Sequence, residues 1–339
     1  MKMNKLLKLA FMLLCVSTLI NACSSNRLDI DVNDVSVEFD VIRFDSLLFS
    51  SHPDTLMKNV YKIFSEYPDF SELYAQKVIK VGSPYSRDFN DLMSLFLSDY
   101  DIRNAYEQSM DLYDDFEPYK QKIESAFQHY HYYFPQKPIP NVYLMISGFN
   151  QSIVVADDVL AIGVDKFLGS KSHFYDQLQL SKYLRTRMEP AVLPYEAVKG
   201  WVYTEFPFND SIDNLVSNMI YQGKILYMMD ALFPNDPDSS KIAYTKNDII
   251  WCEKSEDDIW LYMMDKKILF DSEEMQIRRF IADAPFTGPF GQDSPGRVGQ
   301  WIGWQIVRSY MKKNGEVTIP ELMANDDYQK ILLQSGYNP

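Results

Sequence analysis

The residues best placed to do chemistry are gathered in one stretch, Asp293-Ser294-Pro295-Gly296-Arg297-Val298-Gly299-Gln300-Trp301-Ile302-Gly303-Trp304. Ser294 suits an N-cap and Pro295 the first helical position, so the pattern predicts a helix that starts there. In its first turn Arg297 would stand beside free backbone N–H groups, as a receptor for an anion or a carboxylate. The same residues also fit a plain cap, with Arg297 paired to a core carboxylate. Gly299 and Gly303 share one helix face, which lets another backbone approach closely. Trp301 and Trp304 add apolar area and an indole N–H each.

Other chemistries have less support. The 4 histidines are His52, His129, His131 and His173, and no His-Glu-x-x-His motif exists. His129 and His131, two apart, point to different sides of a helix. Their flanks, Phe127, Tyr130, Tyr132 and Tyr133, read as a packed aromatic helix end. A zinc site needs three or four converging ligands; no metal is expected. There is no Gly-x-Ser-x-Gly nucleophile elbow and no Gly-rich phosphate loop, so no cofactor is expected either. Cys252, between Trp251 and Glu253, reads as inert packing. With 47 acidic residues in the chain, carboxylates near one another in sequence carry no information. The 23 tyrosines and 5 tryptophans fit either a glycan or peptide surface or simple core mass.

A different chemistry is written at the N-terminus. Lys2, Lys5 and Lys8 form a basic leader, and Leu9 to Ile20 an apolar stretch. That stretch is shorter than the roughly 20 residues a membrane-spanning helix needs, and it reads as a secretory signal peptide. It ends in Leu19-Ile20-Asn21-Ala22-Cys23, which resembles a lipobox. The expectation is a signal peptide over 1–22, acylation at Cys23, and a polar tether over 23–34 leading to a globular domain over 35–339. No Asp follows Cys23 directly, which by resemblance to lipoprotein sorting rules favours the outer membrane. With Cys15 removed and Cys23 acylated, Cys252 would be the one thiol left, so no internal disulfide is expected. Stability must then come from a core, and a chain this long can bury one. The formal net charge is −14, and an acidic surface disfavours nucleic acid.

The elements that would position these residues are mostly helical. Val35, Val37, Phe39 and Val41 alternate with polar residues, as in a strand. Ser46 to Tyr133 reads as helices broken near Pro53, Pro68, Pro84 and Pro118. Val142 to Ile146 has strand length. Ile153 to Ala156 and Val159 to Ile162 flank Asp157-Asp158 as a hairpin would. Ile212, Leu215, Val216, Met219 and Leu226 fall at helical spacing. Thr245 and Asp248 form a capping pair for a helix running through Ile249, Trp260 and Leu269. Val298, Ile302, Ile306 and Tyr310 make a stripe on a C-terminal helix. No Ser/Gly/Pro-rich linker divides the chain. The fold class is therefore α+β, mostly helical, as one domain with a small β-sheet.

Several of these segments together resemble the gliding-motility lipoprotein GldB family. They are Asp293 to Tyr310, the run Asn218-Met219-Ile220-Tyr221-Gln222-Gly223-Lys224-Ile225-Leu226-Tyr227, Pro194-Tyr195-Glu196-Ala197, and Val41-Ile42-Arg43-Phe44-Asp45. The resemblance implies an outer-membrane lipoprotein needed for surface gliding and associated with the motility and type IX secretion apparatus. Relatives also occur in bacteria that do not glide. More distantly, the family resembles a decayed zinc metallopeptidase with a zincin-like fold. In that comparison Tyr195-Glu196-Ala197-Val198-Lys199 stands where such enzymes carry His-Glu-x-x-His, and Gln222 before Gly223 stands at the third ligand. Tyr, Lys and Gln cannot hold zinc as a set, so the resemblance implies no catalytic zinc.

Three functions follow as expectations. The first is a non-catalytic envelope lipoprotein, not an enzyme, that binds envelope proteins of the motility or secretion machinery. Its binding cleft would be built from Glu196, Gln222, Ser294, Arg297 and Trp301. The second is a hydrolase or peptidase-like enzyme with Glu196 as base in a non-standard carboxylate site. The third is a glycan-binding lipoprotein that uses exposed aromatics.

Overall fold

The computed structural model describes residues 26–339. The signal peptide expected over 1–22 and the acylated Cys23 lie outside the described residues. Asn26 to Asp31 carries a turn closed by Asp29 N–H to the Asn26 carbonyl at 2.9 Å. Leu28 is buried there. Val32 to Pro339 forms one compact unit.

A four-stranded sheet lies in the order β1-β2-β4-β3. Its strands are β1 (Val41–Ile42), β2 (Asn141–Met145), β3 (Ile153–Ala156) and β4 (Val159–Gly163). Both β1 and β4 run parallel to β2, while β3 is antiparallel to β4, with Val155 opposite Leu160. The hairpin expected around Asp157-Asp158 is present. Asp158 takes φ 57° at its tip, a left-handed conformation that short polar side chains tolerate. Every residue of β4 is buried, which is why its sequence is continuously apolar and does not alternate.

The strand expected over Val35 to Val41 is present only as Val41–Ile42. Alternation needs a ladder to pair with: Asp40 still accepts Val142 N–H at 2.8 Å, but among the described residues no strand pairs with Val35 to Phe39. Val35 N–H turns back to the Val32 carbonyl at 2.9 Å, and the Val35 carbonyl accepts from Gln128 Nε2 at 3.0 Å.

The longer helices are α1 (Leu56–Glu66), α2 (Phe89–Ser98), α3 (Tyr100–Leu112), α4 (Glu117–Tyr133), α5 (Leu193–Glu205) and α6 (Leu215–Leu232). They continue with α7 (Lys246–Asp265), α8 (Glu274–Ile281), α9 (Val298–Lys313) and α10 (Tyr328–Ser335). Pro53, Pro68 and Pro118 sit in the first turns of helical segments, where a missing N–H costs nothing. The capping box of Thr245 and Asp248 forms as expected, but α7 ends at Asp265, short of Leu269.

Helix α6 is the centre of the helical body. Every one of its residues except Asn218 and Gln222 is buried, the mark of a helix surrounded on all sides. It crosses α9 backbone to backbone: a Cβ on Gly303 would overlap the Met219 carbonyl, and one on Gly223 would overlap the Gly303 carbonyl. The stripe Val298, Ile302, Ile306 and Tyr310 is buried, as expected. Asp230 of α6 is buried with Lys241 Nζ at 2.8 Å, Trp304 Nε1 at 2.9 Å and Arg308 Nε at 2.8 Å. That ion cluster ties α6 and α9 together and satisfies a charge that would be costly alone. Among the described residues, no helix is long and apolar enough to cross a membrane.

Candidate functional site

Helix α5 brings the first functional candidate into place. Pro194 lies in its first turn, and Gly200 lets the helix settle on the hairpin, since a Cβ there would stand 2.8 Å from Ile153 Cγ2. Glu196, Lys199 and Tyr203 fall at i, i+3 and i+7 and so share one face. Lys199 Nζ donates to Glu196 Oε1. Arg187, from the turn Thr186–Met188, donates to Glu196 Oε2 through Nη2, and through Nε at 3.1 Å. Its Nη1 holds both oxygens of Asp283, at 3.1 and 2.9 Å. Asp283 in turn accepts Arg297 Nε at 3.1 Å. A continuous chain of alternating charge therefore runs Lys199–Glu196–Arg187–Asp283–Arg297.

Burial alone would raise the Glu196 carboxyl. The charges of Lys199 and Arg187 and their hydrogen bonds outweigh it and hold the group at about 2. Burial lowers Lys199 to about 8, opposed by Glu196 and aided by the positive charge of Arg187. Glu196 is thus a fixed anion with both oxygens occupied by cations, a poor state for a general base.

Gln222 joins the same neighbourhood. The Tyr203 hydroxyl, two turns along α5 from Glu196, donates to Gln222 Oε1. The positions at which a metallopeptidase would place histidines hold Tyr195 and Lys199. Tyr195 hydroxyl is directed away to Asp236, at 3.0 Å, and Lys199 serves Glu196. Among the described residues, no three His, Cys, Asp or Glu side chains converge as metal ligands.

The segment around Ser294 departs from expectation. Helix α9 begins at Val298, not at Ser294. The Ser294 hydroxyl donates to the Gly291 carbonyl at 2.7 Å and accepts Thr287 N–H at 3.1 Å, so it closes a loop and caps no helix. The Pro295 carbonyl accepts the Thr287 hydroxyl at 2.8 Å, and Gly296 passes so near Ala284 that only a glycine fits. Arg297 is the N-cap, in a left-handed conformation at φ 64°. Its side chain does not wait beside the N–H groups of α9. It reaches the end of the helix Asp238–Ile242, where Nη1 donates to the Ile242 carbonyl at 3.0 Å and Nη2 to the Ala243 carbonyl at 3.2 Å. A cation on the unpaired carbonyls of a helix C-terminus is a stabilising cap. The guanidinium also lies 4.9 Å from the Tyr244 ring centroid. Of the plain reading of this segment, the ion pair of Arg297 is present, with the part-exposed Asp283, while the cap expected at Ser294 is not.

Trp301 and Trp304 are 2% and 0% exposed and meet edge to face. They present no stacking face to a sugar. Trp301 belongs to the core and not to the candidate site.

A cleft of about 200 Å³ opens next to Glu196 and Arg187, on the side of the hairpin. Its other walls include Lys166, Phe167, Leu180 and Leu184; Gln222, Ser294, Arg297 and Trp301 do not line it. Sequence reasoning found Glu196 and missed Arg187, Asp283 and Lys166. Lys199 and Tyr203 were legible from their spacing to Glu196. Arg187 and Asp283 lie too far apart in the chain for any local rule.

The chain matches the family model described as gliding motility protein GldB over residues 25–339. It belongs to the GldB family. Membership makes it a lipoprotein of the cell envelope related to gliding motility. No curated protein and no solved structure matches it. Both the Glu196 helix and the α6–α9 crossing fall inside the matched GldB region, so the charge chain is built from the family's own part of the sequence.

Proposed function

We propose that this GldB-family chain is a non-catalytic lipoprotein, acylated at Cys23 and held at the outer membrane, that supports gliding motility or type IX secretion by binding other envelope proteins. The observation that carries the non-catalytic part is the state of Glu196. Its two oxygens are engaged by Lys199 and Arg187, so it stays ionised near neutral pH and has little base strength for activating a water. The cleft at its side supplies a surface for binding.

Deletion of the gene, scored for surface motility and for export of type IX cargo, tests the role. Complementation with Glu196→Gln tests the chemistry. Where the variant accumulates normally, motility is expected to return, because the amide keeps the shape and the charge it removes serves Lys199 and Arg187, not a reaction. Absence of motility at wild-type abundance would turn the assignment toward a hydrolase. That second reading has one observation in its favour, the depressed Lys199 at about 8 within a cleft-side cluster. The anchor is tested by Cys23→Ala with labelled palmitate and cell fractionation; the native protein should take up label and the variant should leave the membrane fraction.

A further inference from the structure

We propose that the cleft beside Glu196 binds a single carboxylate carried on a short apolar body. This rests on the binding role above and names the chemistry of what is bound. The argument starts from Lys166, which follows β4 at the end of the turn Val164–Lys166. Its Nζ donates to the Phe149 carbonyl at 3.2 Å. Among the described residues no carboxylate lies within ion-pair distance of it. The neighbouring Asp165 turns its oxygens inward, to Ser147 N–H at 3.0 Å and Phe149 N–H at 2.6 Å. An ammonium has three donors, so Lys166 keeps two for a ligand at the cleft wall.

The charge balance of the site points the same way. The charged residues that line the cleft are Lys166, Arg187 and Glu196, which leaves one positive charge in surplus. The chain as a whole carries −14. Arg187 directs Nε, Nη1 and one N–H of Nη2 to Glu196 and Asp283, which leaves one N–H of Nη2 without a partner among the described residues. Glu196 is already neutralised by two cations, so it does not repel an incoming anion as a bare carboxylate would.

Phe167, Leu180 and Leu184 supply apolar lining. A carboxylate there would have its tail on apolar surface and its head at Lys166. A phosphate monoester brings closer to two charges and three acceptor oxygens, more than one surplus cation and an apolar wall can match. A free branched acid and the C-terminal residue of a polypeptide share the required chemistry.

The test is calorimetric titration of the full-length lipidated protein in detergent micelles. The probes are 4-methylpentanoate, N-acetyl-leucine and N-acetyl-leucinamide. The acids are expected to bind at least about tenfold more tightly than the amide, the effect of about one charge-assisted contact. Lys166→Met should weaken acid binding about tenfold without lowering the melting temperature. Leu184→Asp should weaken it as well, by removing apolar wall and adding a like charge. Preference for N-acetyl-leucine supports a polypeptide C-terminus as the source, and equal binding of both acids supports a free acid. The proposal is overturned if the amide binds as well as the acids, if Lys166→Met binds acids like wild type, or if neither acid binds. Such a failure, with gene deletion still abolishing motility, would remove the ligand class and leave the envelope role standing. Acid binding without any motility defect on deletion would do the reverse.

Discussion

Lys199 donates to Glu196 from one turn further along the same helix, and both side chains are turned into the protein, 7% and 11% exposed. A buried pair of this kind is a poor source of net stability but a costly thing to break. Glu196→Ala leaves Lys199 and Arg187 facing each other without their shared anion. A loss on the order of 3–5 kcal/mol is expected from denaturant unfolding. A loss below about 1 kcal/mol, the range of exposed pairs, would show that the pair is not desolvated in solution. The acid side carries a signature too. Glu196 is held at about 2, below the ordinary value of about 4.3. Its contribution is present above that ordinary value and lost as pH falls toward about 2. Glu196→Gln should therefore unfold with a shallower acid dependence than wild type.

Lys199 gives the opposite pH dependence. Its folded value of about 8 lies below the ordinary lysine value of about 10.4. Between the two, the unfolded chain holds the proton and the folded chain does not, so stability rises with pH across that window. Below about 8 both states are protonated and the penalty is constant. Lys224, lowered to about 8 where its Nζ meets the Asn325 carbonyl, acts with the same sign. Urea midpoints measured across this window should climb more for wild type than for Lys199→Met. Parallel curves for the two proteins would contradict the assignment.

Arg297 is a structural cap. It satisfies the Ile242 and Ala243 carbonyls and pairs with Asp283 while lying 8% exposed. Arg297→Ala is expected to lower the melting temperature sharply, since it strands two carbonyls and one partner of Asp283. Arg297→Lys should restore little, because a point charge cannot reproduce the forked geometry. An Arg297→Ala protein with unchanged melting temperature and lost function would return Arg297 to the role of a ligand receptor.

The α6–α9 crossing has no room for a methyl group. Gly303→Ala forces a Cβ into the Met219 carbonyl, and overpacking of this kind costs about 1–3 kcal/mol or more because backbone has to move. Gly288→Ala is the control, since its Cβ would meet nothing within 4 Å. Equal melting temperatures for the two variants would mean that the helices do not cross at van der Waals contact.

Much of the architecture was legible in the chain because short-range rules decide it. Asp157-Asp158 between two apolar runs makes the hairpin, Thr245 with Asp248 makes the capping box, and the stripe from Val298 to Tyr310 faces the core. Gly299 and Gly303, four apart, mark a helix face that another backbone can approach closely, as Met219 and Phe280 do. These features depend on neighbours within one or two turns, where side-chain chemistry and backbone geometry are coupled directly. The GldB segments are likewise a property of the sequence alone.

The tertiary structure decided the rest. Ser294 and Pro295 have the right chemistry to begin a helix, yet Thr287 and Gly291 claim the Ser294 hydroxyl, and the helix starts at Val298. A local cap contributes only about 1 kcal/mol, which several loop hydrogen bonds outweigh. The Val35 to Val41 pattern alternates, but a strand exists only where another chain segment offers a ladder. Arg187 and Asp283 stand 96 residues apart, and nothing near either residue foretells the contact. Glu196 was visible as an acid; whether it is a base or a neutralised anion depends on which distant cations the fold packs around it, and on the low dielectric that makes their charges count.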